Sequence, residues 1–373
     1  MRIGIDVRVL GTNKALERYT RNLVSELLKV DTTNSYVLLT DNVEKVSSFG
    51  DLASVFPLPP KKVLTDHLRF NRLIKGTNLD LVFHPDNTEF FSCVPLSVVT
   101  LHDVIPWKFP EMILSSNPLL KARQVLYFKL QEAALRKATH ILTVSQNSKK
   151  DISQILNIDP EKITVTYEGI EDNFEKKGKE ETLKKYKISG DYIFYIGGFS
   201  PHKNVLGLVR AFALISNSNL DLKLVLGGKS EETKGGQSSF REIITEIIKN
   251  KLKDKVIFPG FIDETDLPAL YQHAKVFVYP SLYEGFGFPP LEAMKAGVPV
   301  VTSKRASLGE LLGKAAYFTE VTNPEKLALS VGEVLKNGKL RESLVKKGQD
   351  LADTFKWEKT AKETSAVFNR LLK

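Results

Sequence analysis

The chain has 373 residues, 42% apolar and 26% charged, which excludes a disordered polypeptide and leaves room for about two domains. Its one cysteine, Cys93, excludes an internal disulfide framework and a cysteine-built zinc or iron–sulfur site, and points to a reducing compartment such as the cytoplasm. The net charge of +9 divides as +2 over 1–178 and +7 over 179–373; it suits an anionic ligand, while no interleaving of basic and aromatic residues marks a nucleic-acid surface.

Short β-branched runs alternate with amphipathic segments along most of the chain. In the first half, strands are expected over 1–7, 36–40, 79–83, 97–101, 140–144 and 163–167, and helices over 16–30, 66–75, 118–138 and 146–156. The second half repeats the pattern. Strands fall at 192–196, 222–226, 256–258, 276–279 and 298–302, with helices at 205–215, 240–252, 266–272, 290–295 and 324–336. A last amphipathic helix runs from Trp357 to the end. Nearly continuous apolar strands between helices predict buried parallel sheets, hence a doubly wound α/β fold. The charged stretch 171–190 reads as an exposed linker between two Rossmann-like domains, 1–178 and 179–356. Ligands of such sheets bind outside the carboxyl ends of the strands, so a cleft between the domains is the expected site.

No signal-peptide pattern opens the chain, and no stretch reaches the ~18 apolar residues of a membrane span. The segment 118–137 combines Lys121, Arg123, Lys129, Arg136 and Lys137 with Leu119, Leu120, Val125, Leu126 and Phe128. The plain reading is a solvated helix face over a packed apolar stripe. The alternative is peripheral contact with anionic lipid on the inner face of a membrane.

The most informative stretch is 279–303. A strand ends at Tyr279, a loop carries Glu284, Gly285, Phe286 and Gly287, Pro289 and Pro290 open a helix, and Glu292 lies in its first turns. Glycines at a helix N-terminus offer backbone N–H groups and a positive dipole end to an anion such as a diphosphate. Two carboxylates eight positions apart can divide the work, one facing a reacting centre and one accepting hydrogen bonds from sugar hydroxyls. Upstream, Tyr195-Ile-Gly-Gly-Phe-Ser-Pro-His-Lys203-Asn204 links a strand to a helix, with Lys203 placed to neutralise phosphate. The spacing is not the dinucleotide fingerprint. In the first half, His102 and Asp103 directly follow a buried strand.

The run from Glu284 to Glu292, continuing Ala-Met-Lys-Ala-Gly297-Val-Pro-Val-Val, resembles the Glu-x7-Glu signature of retaining GT-B glycosyltransferases of family 4, also called group 1. That resemblance implies two Rossmann-like domains, the first binding the acceptor and the second the nucleotide-sugar, with helix 357–373 crossing back to complete the first. It implies that Glu292 holds the donor ribose and that backbone of Gly287, Phe288 and Pro289, beside Gly285 and Phe286, contacts donor sugar and phosphate. Glu284 then lies near the transferred sugar, with Lys203 on the diphosphate. His102, in Leu-His-Asp-Val-Ile-Pro, matches the histidine that lies beside the donor sugar. Gly198 and His202 occupy the candidate positions of an arginine present in relatives, and His202 is either a second cation or a neutral surface residue. Gly11 matches the loop after the first strand, although Ala15, Leu16 and Glu17 stand where relatives carry paired glycines. Glu168-Gly-Ile-Glu171 replaces the usual Asn-Gly-x-Asp.

These resemblances are strongest to bacterial enzymes that move mannose from GDP-mannose onto growing polysaccharide or glycolipid. No cofactor beyond the donor and no metal is expected, because no Asp-x-Asp site is present. The acceptor is expected to be a saccharide or lipid-linked saccharide. Rival readings are a UDP-sugar transferase or sugar-nucleotide epimerase on the same fold, or an idle nucleotide-sugar-binding subunit.

Overall fold

The buried apolar runs form two parallel sheets in a computed structural model that describes residues 1–12, 15–60, 72–87, 96–217, 221–228 and 239–373. In the first sheet β1 (Arg2–Asp6), β2 (Ser35–Thr40), β3 (Ser54–Pro57), β4 (Leu81–His84), β5 (Ser97–Thr100), β6 (His140–Thr143) and β7 (Ile163–Val165) lie in the order 3-2-1-4-5-6-7. Helices α1 (Ala15–Val30), α2 (Ile105–Lys108), α3 (Pro110–Ile113), α4 (Pro118–Lys137) and α5 (Gln146–Leu156) connect its later strands or cover its faces. Every residue of β4, β5 and β6 is buried, as a sheet covered on both faces requires. The strand order reverses between β1 and β4.

After the short α6 (Glu181–Lys185), the second sheet contains β8 (Tyr192–Ile196), β9 (Lys223–Gly227), β10 (Val256–Gly260), β11 (Val276–Tyr279), β12 (Val300–Thr302) and β13 (Tyr317–Phe318), in the order 10-9-8-11-12-13. Its helices are α7 (Val205–Ser216), α8 (Phe240–Lys249), α9 (Leu267–Gln272), α10 (Phe288–Lys295), α11 (Ala306–Leu312), α12 (Pro324–Lys336) and α13 (Gly338–Ala352); α14 (Trp357–Leu371) ends the chain. Here the order reverses between β8 and β11. Such reversals open a crevice at the carboxyl ends of the strands.

Two compact units result. One comprises Met1–Lys108, Ser116–Gly169 and Lys356–Lys373, the other Phe109–Ser115 and Ile170–Phe355. The units part at 169/170 rather than at 178/179, because the start of the charged stretch is packed rather than free. Gln272 Nε2 donates to the carbonyls of Phe174 and Lys176 at 2.9 and 2.8 Å, and Phe174 packs edge-on to Tyr271. Lys295, only 3% exposed, pairs with Asp172, Glu175 and Asp353 and so ties this segment to α10 and to the end of α13.

The last helix belongs to the first unit. Asp31 accepts from Ser365 on α14 at 2.6 Å and from Tyr36 at 2.7 Å, while Thr360 Oγ1 donates to the Tyr167 carbonyl at 2.6 Å. Trp357 lies so close to Gly169 that a Cβ there would stand 2.3 Å from the Trp357 nitrogen, so only glycine fits.

Several expectations are revised. The helix expected over 66–75 falls mostly on 61–71, outside the described residues, as does Cys93. Strand β3 escapes pattern reading because only Phe56 in it is partly covered and a proline ends it. Helix α13 has few apolar residues; it is held where Gly348 lies against Met294 of α10. The apolar stripe of α4 is only partly packed: Leu119, Leu120 and Leu126 are 73, 47 and 57% exposed, while Val125 is half-buried and Phe128 packs edge-on to Trp107.

Candidate functional site

The crevice edge of the second sheet carries the densest chemistry. Beyond β8 the chain passes Gly197 and Gly198, makes one 3-10 turn at Pro201–Lys203, and enters α7 through Asn204, whose φ of 53° is left-handed. The Tyr195 hydroxyl donates to the Gly198 carbonyl at 2.6 Å, and the space beside the Gly198 Cα is open. Lys203 reaches the loop after β11. Its ammonium donates to both oxygens of Glu284, at 2.7 and 2.8 Å, and to the Tyr279 hydroxyl at 3.0 Å. Burial would raise the Glu284 carboxyl, but Lys203 outweighs it and holds the group below the ordinary range. The Tyr279 phenol is pushed well up by burial and stays neutral.

Three serines missed by sequence reasoning fix that loop. Ser281 Oγ lies 3.2 and 3.1 Å from the His202 and Tyr283 carbonyls, either of which its one hydroxyl hydrogen can reach, and Ser303 Oγ donates to the Ser281 carbonyl at 2.6 Å. Ser307 Oγ lies 3.0 Å from the Glu284 carbonyl and 2.6 Å from that of Phe286. Serines just past strand ends were the available signal. The Phe286 side chain is 5% exposed and packs edge-on to Phe288 and Phe355, so a ligand can meet only its backbone. Gly287 precedes α10 with φ 125° and ψ 56°, a conformation reserved for glycine.

Helix α10 starts at Phe288 rather than at the first proline. Pro289 and Pro290 have no N–H, so this helix end offers an anion fewer donors than its dipole suggests. Glu292 is 3% exposed and accepts from the fully buried Tyr271 hydroxyl at 2.7 Å. The two glutamates therefore have different partners, a cation for Glu284 and a phenol for Glu292.

His202 is neither a surface residue nor a cation. It is 7% exposed, and burial, with the Lys203 charge added, pushes its imidazole down to about 4. At neutral pH it carries no charge, and its buried Nδ1 lacks a hydrogen-bond partner. His202 thus adds no second fixed charge beside Lys203.

In the first unit, His102 follows β5 and meets residues from the ends of other strands. Its Nδ1 lies 3.0 Å from Glu168 Oε1 and its Nε2 3.1 Å from the Pro85 carbonyl. Tyr19 packs edge-on to the ring, with centroids 4.5 Å apart. Gly11 is exposed with φ 85°, and its absent Cβ would meet the Lys45 side chain; Asn13 and Lys14 just beyond it lie outside the described residues. Sequence reasoning passed over Asp6 and Arg8, which form a buried ion pair at 2.8 Å just past β1. A charged pair at the end of an apolar strand was the signal. Among the described residues, no three His, Cys, Asp or Glu side chains converge to hold a metal ion.

Two parallel Rossmann-like sheets with these strand orders are those of the GT-B fold of glycosyltransferases. Anabaena HepE in complex with UDP and glucose shares it at TM-score 0.77 over 99% of this chain and 100% of that one, with 17% identity. Two family models match in tandem, Glycosyltransferase Family 4 over residues 16–174 and Glycosyl transferases group 1 over residues 177–351. The chain belongs to these glycosyltransferases. Among its relatives, O-antigen chain mannosyltransferase B of Escherichia coli is 29% identical over 78% of this chain and 75% of its own length. O-antigen chain mannosyltransferase RfbU of Salmonella typhimurium is 31% identical over 68% of this chain and 63% of its own.

Proposed function

We propose that this glycosyltransferase moves mannose from GDP-mannose to a hydroxyl of a polysaccharide or glycolipid acceptor, with retention of anomeric configuration. The observation that carries the reading is the buried Lys203–Glu284 pair beside the glycine-opened helix α10. Transfer leaves negative charge on the departing diphosphate and positive charge on the anomeric carbon. A lysine and a carboxylate fixed side by side supply one group for each. Glu292, steadied by Tyr271, accepts hydrogen bonds from the donor ribose. The donor sugar is chosen on the two mannosyltransferase relatives. Charge neutralisation rests on Lys203 and the α10 N-terminus, so the proposed reaction proceeds without a divalent metal.

HepE, solved with UDP and glucose, supports a second reading, a UDP-sugar donor. A donor screen by nucleotide release, with and without lipid-linked oligosaccharide, separates the two. Acceptor-dependent release from GDP-mannose with an α-linked product supports the first reading. Release from UDP-sugars alone overturns it, and consumption of donor without any acceptor replaces transferase with epimerase or hydrolase. For the acceptor side, the exposed leucines and basic residues of α4 support contact with an anionic membrane. Sedimentation with phosphatidylglycerol vesicles but not with neutral ones tests it. No described helix is long and apolar enough to cross a membrane.

A further inference from the structure

His102 is held between two acceptors. A neutral imidazole has one N–H and one bare nitrogen, so it satisfies one acceptor and repels the other. The Pro85 carbonyl can only accept, so Nε2 must carry a proton to make its 3.1 Å contact. Nδ1 faces the Glu168 carboxylate at 3.0 Å, and Glu168 is only 2% exposed. Either the ring is doubly protonated or the carboxyl has kept the proton.

The surroundings favour the first arrangement. Burial opposes charge on the ring, but Glu168 outweighs it and the imidazole is raised, with smaller help from the Pro85 carbonyl and Asp103. Tyr19, edge-on from α1, is neutral because burial pushes its phenol up. The His102 carbonyl accepts from Ser148 on α5 at 3.1 Å, which fixes the backbone beneath the ring. Thr360 of α14 anchors the Tyr167 carbonyl next to Glu168, and Gly169 is wedged against Trp357. Glu168 is thus set in place from both sides of the chain.

We propose that Glu168 is a positioning residue that holds His102 as an imidazolium with both ring nitrogens donating. His102 then cannot take up the proton of an acceptor hydroxyl. What it offers a ligand is a fixed positive charge and its polarised C–H edge, with the side chain 15% exposed. As a catalytic role this rests on the transfer proposed above; as a statement about the pair it does not.

The test uses the full chain labelled with 15N and two-bond 1H–15N spectra of its six histidines, with His102→Asn assigning the signal. At pH 7.5 both His102 nitrogens are expected at protonated shifts, and Glu168→Gln converts them to one protonated and one bare nitrogen. A parent spectrum with one bare nitrogen at pH 7.5 overturns the proposal, as does a Glu168→Gln spectrum identical to the parent's. The parent titration needs no variant, so it decides the matter even if Glu168→Gln does not fold.

In turnover, Glu168→Gln leaves burial largely unopposed, so His102 loses its charge below the ordinary value of about 6.5, and kcat falls by at least about tenfold by pH 7.5 and recovers on the acid side. The parent shows no such decline. Equal pH profiles for parent and variant overturn the positioning role. If the parent transfers no sugar from any donor, the proposed function fails, while the spectra still judge the pair.

Discussion

Lys203 and Glu284 lie 81 positions apart, yet the ammonium donates to both carboxylate oxygens at 2.7 and 2.8 Å, and its third hydrogen bond goes to Tyr279. All three N–H bonds of the lysine have acceptors before any donor binds. For the proposed diphosphate contact, a phosphate oxygen must displace one of them. The Tyr279 contact, longest and to a neutral acceptor, is the one to give way.

Replacing Lys203 by alanine removes the fixed positive charge proposed for the diphosphate. The expected loss is about 2–3 kcal/mol of transition-state stabilisation, or roughly a hundredfold in kcat/KM. Steady-state nucleotide release measures it, with circular dichroism to establish that the variant folds. Turnover within a few-fold of the parent rejects the assignment.

The same substitution should move the acid limb of the pH profile. In the parent, Lys203 keeps the Glu284 carboxyl low, so activity that needs the carboxylate persists into acid and is lost as pH falls through the lowered value. Without Lys203, burial acts unopposed and the limb moves to higher pH. An acid limb at the same pH in parent and Lys203→Ala removes the coupling.

Glu284→Gln is expected to lower kcat at saturating donor, because charge develops on the anomeric carbon only in the transition state. Glu292→Ala should chiefly raise the donor KM, since a ribose hydrogen bond is present before and during reaction. Tyr271→Phe, which removes the 2.7 Å bond to Glu292, should follow Glu292→Ala with a smaller effect. Reversal of the kcat and KM effects between the glutamates would mean their roles are exchanged.

Asp31 ties α14 to the first sheet. Burial would raise its carboxyl, but hydrogen bonds from Ser365, Tyr36, Asn34 and Thr33 outweigh this and lower it. Its contribution is full above the ordinary aspartate value of about 3.9 and is lost as pH falls through the lowered one. Asp31→Asn should cost about 2 kcal/mol at pH 7. Urea unfolding at a series of pH values should show the gap narrowing only below about pH 4; a gap independent of pH would assign the cost to packing.

Excess chelator should leave transfer unchanged, because the proposed neutralisation rests on Lys203 and a helix end. Activity that vanishes with chelator and returns with magnesium or manganese contradicts this.

Periodicity made the two parallel sheets and most helices legible, because buried strands must be apolar on both faces and glycines and prolines punctuate them. The Glu-x7-Glu run was legible for a local reason: strand, glycine loop and helix start are contiguous, so their spacing is the geometry. Pattern could not find α13 or β3, whose few apolar residues gain cover only after α10 and β2 are in place. Charge misled at 171–176, where Lys295 and Gln272 gather residues that composition assigns to an open linker. By itself, then, the sequence determined the fold class and the elements on which Lys203, Glu284, Glu292 and His102 stand. The tertiary structure alone decided their states: His202 neutral because it is buried, Glu284 ionised because Lys203 arrives from the turn after β8, and His102 held by Glu168 from 66 positions away. Protonation depends on desolvation and on neighbouring charge within a few ångströms, and neither distance nor burial is written in the order of residues.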